Sequence, residues 1–153
     1  VTPDDIDTHG GADAGSAVDA RVVLVRGGRV QPHGSWLYVW VDVDAGAVAY
    51  VGTTGFDPEL RAHLHLTHPD PALGRVRTLL GDAADGDFDV LAFPIPAGVD
   101  RADVKTAVAA ELADGDPLPG VDAGSDGAGA AESDLLEITV RRIVDQVRAR
   151  IAA

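Results

Sequence analysis

The run Trp36-Leu37-Tyr38-Val39-Trp40-Val41 is apolar at every position. Strand side chains alternate between the two faces of a sheet, so a segment apolar in both phases is stable only where both faces are covered. That requirement predicts a central strand from Trp36 to Val43, with neighbours along its edges and helices against its faces. Aromatic residues are scarce here: the chain holds two Trp, two Tyr and three Phe, and three of those seven fall between Trp36 and Trp40. Asp44-Ala45-Gly46 then supplies a tight turn, and Val48 to Gly52 returns as the second strand. With an even register sum, Tyr38, Trp40, Tyr50 and Gly52 share one face, and the two tyrosines point into a common site.

Helix signals follow at regular intervals. Asp57-Pro58 marks a start, because the aspartate accepts from free N–H groups and proline occupies the first turn, where its missing donor costs nothing. That helix is expected from Pro58 to Thr67, stopping before Pro69. Asp70-Pro71 repeats the signal, and Gly81 closes a second helix holding Leu73, Val76, Leu79 and Leu80. Phe88 to Ile95 reads as a third strand, confined to an edge or a strand end by Pro94 and Pro96. Asp100, with Asp103 three residues on, caps a third helix from Arg101 to about Ala113. Upstream, Arg21 to Val25 is a short β-rich run closed by the Gly27-Gly28 turn, with Arg29 to Gln31 pairing back as a hairpin.

The expected fold class is α/β in the α+β sense: a small, three-stranded, mostly antiparallel sheet flanked by helices, with an added N-terminal hairpin and a C-terminal amphipathic helix. Residues 1–19 have no period and little apolar surface, and are expected to be a disordered acidic tail. Residues 20–114 form the domain, 115–131 a flexible Gly- and Asp-rich linker, and 132–153 the last helix. In that helix Leu136, Val140, Ile143, Val144, Val147 and Ile151 make one stripe, which either docks on the domain or pairs with a copy of itself.

Acidic side chains outnumber basic ones 25 to 12, for a net charge of -13, and Lys105 is the sole lysine. Such a surface repels itself at low ionic strength and is tolerated where salt screens it, which fits an intracellular protein of a salt-loving organism. The absence of cysteine excludes disulfides, thiolate nucleophiles and cysteine-ligated zinc. No window reaches about 18 apolar residues and the N-terminus is acidic, so the expectation is a cytoplasmic protein, neither exported nor membrane-spanning, with no membrane partner.

Trp36-Leu37-Tyr38 and Tyr50-Val51-Gly52, with eleven residues between the tyrosines, are followed by Arg61 nine residues past Gly52 and by Glu111 in the third helix. This pattern, over about residues 35–113, resembles the GIY-YIG nuclease family. The resemblance implies a metal-dependent endonuclease that hydrolyses phosphodiester bonds in DNA, in repair or recombination, with RNA left open as a substrate. It implies Tyr38 as general base or positioner of the water, Tyr50 assisting, Arg61 on the scissile phosphate and Glu111 holding Mg²⁺ or Mn²⁺. Two positions depart from the family pattern: Trp36 stands at the first glycine, and Thr53 where a basic residue often follows the second segment.

The same residues can be weighed on their own chemistry. Phosphodiester hydrolysis needs a base for the water, a cation for the growing charge and usually a divalent ion. Glu111 falls close to the middle of the stripe of Val104, Ala107 and Val108, a face expected to meet the sheet, where a carboxylate is costly unless it has a partner or a metal; the alternative is a rim glutamate reaching water. Arg61 offers five fixed donors suited to a phosphate, against the alternative of a surface salt bridge. It shares a helical face with His65 and His68, at spacings of four and seven. His65 either steadies the phosphate and shuttles a proton or is a solvated histidine. His65 with His68 also invites a zinc reading, for which no third ligand is spaced. His63 reads as solvated, and His33 as a loop histidine, with the mouth of the site within its reach as the alternative. Free tyrosine titrates near about 10, so a base role for Tyr38 requires strong positive charge beside it; the alternative for both tyrosines is ordinary core packing. Gly52 lets backbone or a phosphate come close, and Thr53, Arg75, Arg77 and Lys105 complete the expected substrate-binding set.

The rival reading is a non-catalytic GIY-YIG-like module for nucleic-acid binding or protein assembly, with the C-terminal helix making a homodimer or recruiting a partner protein. Arg61, Arg75, Arg77, Arg101 and Lys105 gathered on a cleft rim would favour the nuclease. The same residues scattered and neutralised would favour the module.

Overall fold

The computed structural model describes residues 20–113, Leu118 and 130–153, the side chains of 130–132 excepted. The expected tail at 1–19, and the linker at 115–131 apart from Leu118 and the start of the last helix, lie outside the described residues. The chain divides into two compact units, Val1–Gln31 and Pro32–Ala153, so the division falls after Gln31 and the last helix belongs with the sheet.

In the first unit, β1 (Val25–Arg26) and β2 (Arg29–Val30) pair antiparallel. Gly27 and Gly28 both have positive φ, the turn geometry whose twist matches a two-residue hairpin. The pairing is shorter than the run from Arg21 suggests.

In the second unit, β3 (Trp36–Asp42), β4 (Ala47–Thr54) and β5 (Phe88–Pro94) form an antiparallel sheet in the order β4-β3-β5. The central strand is β3 and β5 is an edge, as the sequence leads one to expect. Tyr38 lies opposite Gly52 and Trp40 opposite Tyr50, so the even register sum holds and these four residues share a face. One extra residue, Ala49, bulges out of β4 beside Val41.

The two faces of β3 carry two separate cores. Leu37, Val39 and Val41, with Val51 of β4, pack against α3 (Arg101–Leu112) and α4 (Ala130–Ile151). Tyr38, Trp40 and Tyr50 pack against α1 (Pro58–Thr67), α2 (Arg75–Leu80) and the 3-10 turn Gly81–Asp85. The result is a helix–sheet–helix sandwich. Fully burying Leu37, Val39, Val51 and Trp40 stabilises it by about 1.5–3 kcal/mol per side chain relative to exposure.

Caps place the helices where their sequence signals lie. The Asp57 carboxylate accepts from the backbone N–H of Glu59 and Leu60, and that of Asp100 from Ala102 and Asp103. The second helix differs from expectation. Asp70 accepts from Ala72 through its side chain and from Gly74 through its carbonyl, but this builds one turn only, and α2 begins at Arg75. Gly74 lies against the His68 carbonyl so closely that any side chain there would collide with it. The close return fixes the turn and restarts the helix.

Helix α4 docks on the domain. Val140, Ile143, Val144 and Val147 are buried in the α3 side of the core, and Leu136 and Ile151 lie at its margin. No described helix is long and apolar enough to cross a membrane.

Candidate functional site

The register of β3 and β4 sets Tyr38 and Tyr50 side by side, ring centroids 6.3 Å apart, on the face covered by α1. From α1, His65 points back into this face and is completely buried. Three rings surround it edge-on: Tyr50 at 5.3 Å, Tyr38 at 5.5 Å and Trp40 at 6.1 Å between centroids. Phe88 backs Trp40 in turn at 5.5 Å. The indole thus serves as a wall for the histidine, a role that its place on the tyrosine face allows but does not announce.

Burial decides the protonation states. It raises the Tyr38 hydroxyl well above the ordinary tyrosine range, helped by Tyr50, and outweighs the opposing pull of Arg61. Burial likewise raises Tyr50 against the pull of Arg75 and Arg61. It lowers His65 to about 4, with repulsion from Arg61 and Arg75 acting the same way. Oη of a protonated Tyr38 and Nε2 of a neutral His65 thus share a hydrogen bond at 2.7 Å, its direction set by the imidazole tautomer. The other ring nitrogen, Nδ1, is buried and has no hydrogen-bond partner among the described residues. The positive charge needed to make Tyr38 a base does not prevail, and the pair behaves as a closed hydrogen-bonded contact.

Arg61 lies near the tyrosines, but its guanidinium donates to the carbonyls of Leu73 at 2.9 Å and Ala72 at 3.4 Å. It ties α1 to the turn before α2. Removing it leaves those carbonyls to water or unpaired, so Arg61→Ala is expected to destabilise the fold by about 1–2 kcal/mol in urea unfolding. A value within error of zero would show that the guanidinium is free for another ligand.

The remaining expected residues do not converge on this site. Glu111 is exposed and sits on α3, which packs on the opposite face of the sheet, because Val104, Val108 and Leu112 take the buried phase of that helix. Lys105 is on the same helix. Thr53 pairs with Leu37 and so belongs to the α3 face as well. Arg77 donates to the Leu66 carbonyl and pairs with Asp85 at 2.8 Å. Arg75 is near enough to influence Tyr50 and His65, and of the expected substrate-binding residues it stands here with Gly52 alone. Arg101 reaches towards Gly55 from the start of α3.

Glu111 and the tyrosines do not fit one Mg²⁺ or Mn²⁺ between them, because the helix that carries the carboxylate lies across the sheet from the rings. The zinc reading fails on geometry, since His65 turns inward to Tyr38 while Nδ1 of His68 accepts from the backbone N–H of Asp70. His63 and His33 are exposed, as expected.

What the sequence points to and the structure assembles is thus Tyr38, Tyr50, Gly52, Arg61 and His65, with Arg75 beside them. No protein-family model, curated protein or solved structure matches the chain.

Proposed function

We propose that this chain is a non-catalytic module of GIY-YIG-like strand arrangement that acts by holding a protein partner. The observation that carries this reading is the sealed Tyr38–His65 pair, 3% and 0% exposed, with the expected metal ligand, Glu111, on the helix across the sheet. A water to be activated has no access to the hydroxyl, and the hydroxyl holds its proton. The distribution of cations supports the same reading. Of the cations expected on a cleft rim, Arg77 is paired with Asp85, and Arg101 and Lys105 stand on α3 across the sheet, which leaves Arg61, tied to carbonyls, and Arg75 as the charges beside the tyrosines among the described residues.

Supercoiled plasmid and flapped DNA incubated with the chain in molar KCl and Mg²⁺ or Mn²⁺ should show no more nicking than protein-free controls, and Glu111→Ala should change nothing. The rival, a metal-dependent DNA endonuclease, draws on one observation: Tyr38, Tyr50, Arg61 and His65 meet on one face. Metal-dependent nicking that disappears in Tyr38→Phe would establish it instead.

A further inference from the structure

Helices α3 and α4 leave an open trough of about 730 Å³ between them, on the side away from the tyrosines. Its floor is apolar and low: Ala107 and Ala110 from α3, and Leu136, Val140 and Val144 from α4. The α4 side recurs every three or four residues from Ser133 to Arg148, a length of about 22 Å at the helical rise. Two adjacent helices with small residues between them form the groove into which a third helix packs, its axis about 8–10 Å from each. An elongated seat of this kind suits a helix better than a compact ligand.

The rim sets the sign of the occupant. Three carboxylates and two guanidinium groups line it, a net charge of -1: Arg141 is paired with Glu137 at 2.7 Å, and Arg148, which keeps its charge, donates to the backbone carbonyl of Glu111 at 3.0 Å. The carboxylates of Glu111 and Asp145, both lining the trough, are in no ion pair among the described residues. We infer that the α3–α4 trough seats an amphipathic helix of a partner protein whose apolar stripe is flanked by lysine or arginine. The inference rests on the reading of the chain as a partner-holding module, and gives Glu111 a role there: a rim carboxylate facing a cationic partner.

A pair of fluorescein-labelled synthetic helices tests it, each about 16 residues long to match the trough, with the same leucine stripe and either lysine or glutamate on its flanks. Anisotropy titration of the full chain at physiological ionic strength should show the lysine helix binding at least about tenfold more tightly than the glutamate helix. Because any cationic peptide is drawn to a chain of charge -13, the trough itself must be probed. Ala110 is exposed, so Ala110→Trp fills the floor without changing charge or core, and is expected to weaken the lysine helix at least about tenfold. Ala102→Trp, on the same helix but outside the trough, should change affinity less than about twofold. Binding insensitive to Ala110→Trp, or no binding of either helix, overturns the inference. Either result leaves the DNA experiment to decide separately whether the chain is non-catalytic.

Discussion

Lowering the pH from about 6.5 to about 4 is expected to remove about 3 kcal/mol of stability through His65 alone, at about 1.4 kcal/mol for each unit by which its folded value falls below the ordinary one. The folded value is depressed to about 4 because burial, and then Arg61 and Arg75, disfavour the imidazolium. The unfolded chain therefore binds this proton first as the solution is acidified. The contribution is fully present above pH about 6.5 and is lost as the pH falls through the folded value. Protonation also places a charge at the 2.7 Å contact with Tyr38, so the penalty has a structural counterpart there. Urea unfolding at a series of pH values, with KCl held fixed, measures the slope. The carboxylates elsewhere contribute their own slope, so the comparison is with His65→Gln, which keeps a hydrogen-bonding group for Tyr38 but cannot titrate. The native chain should lose up to about 1.4 kcal/mol per pH unit more than the variant across this window. Parallel curves would mean that His65 is hydrated in the folded state, and would reopen the face to water.

The parts of this fold that were legible in advance are those governed by local chemistry and by the two faces of one strand. The unbroken apolar run at Trp36–Val41 required cover on both sides and received it, and its pairing with β4 followed from a short turn and a period of two. Asp57 and Asp100 announced their helices because a cap is a contact with residues two and three positions away. The failures involve contacts distant in sequence. Nothing local to Asp70-Pro71 tells that the His68 carbonyl will crowd Gly74 and delay α2. Nothing local to Arg61 tells that carbonyls eleven and twelve residues on will occupy it. Glu111 shows a different difficulty. A helical stripe fixes which residues lie together, but Glu111 is about 20° around the helix from Val104 and about 100° from Leu112, and because Leu112 is also buried the stripe turns away from the carboxylate and leaves it at the rim. The tyrosine–histidine cluster was legible as a place, from register and spacing, while its chemistry depended on how deeply α1 and α2 bury it. Burial of that kind is a sum over the whole unit.

Replacing Gly52 by alanine is expected to destabilise the fold by about 2–3 kcal/mol. Glycine at this position was read as room for a phosphate, yet the room is already filled. A Cβ at residue 52 would lie 2.5 Å from Cε2, Cζ and Oη of Tyr38, which sits directly opposite across the strand pair. Tyr38 has nowhere to retreat, since its hydroxyl is held by His65 and its ring is 3% exposed. The backbone is not the obstacle, because Gly52 is not among the residues with positive φ. At such a position alanine would otherwise stabilise by about 0.4–1 kcal/mol through the unfolded chain, so a net loss has to come from the clash. Tyr38→Leu separates the two terms: it shortens the opposing side chain, at the cost of the hydrogen bond to His65. In that background, adding Gly52→Ala should be close to neutral, a coupling of about 2 kcal/mol or more in a double-mutant cycle by urea unfolding. An equal cost in both backgrounds would mean that the tyrosine ring is not what the glycine accommodates. A variant of undiminished stability that loses nucleic-acid cleavage would restore the phosphate to that space, and with it the catalytic reading of the site.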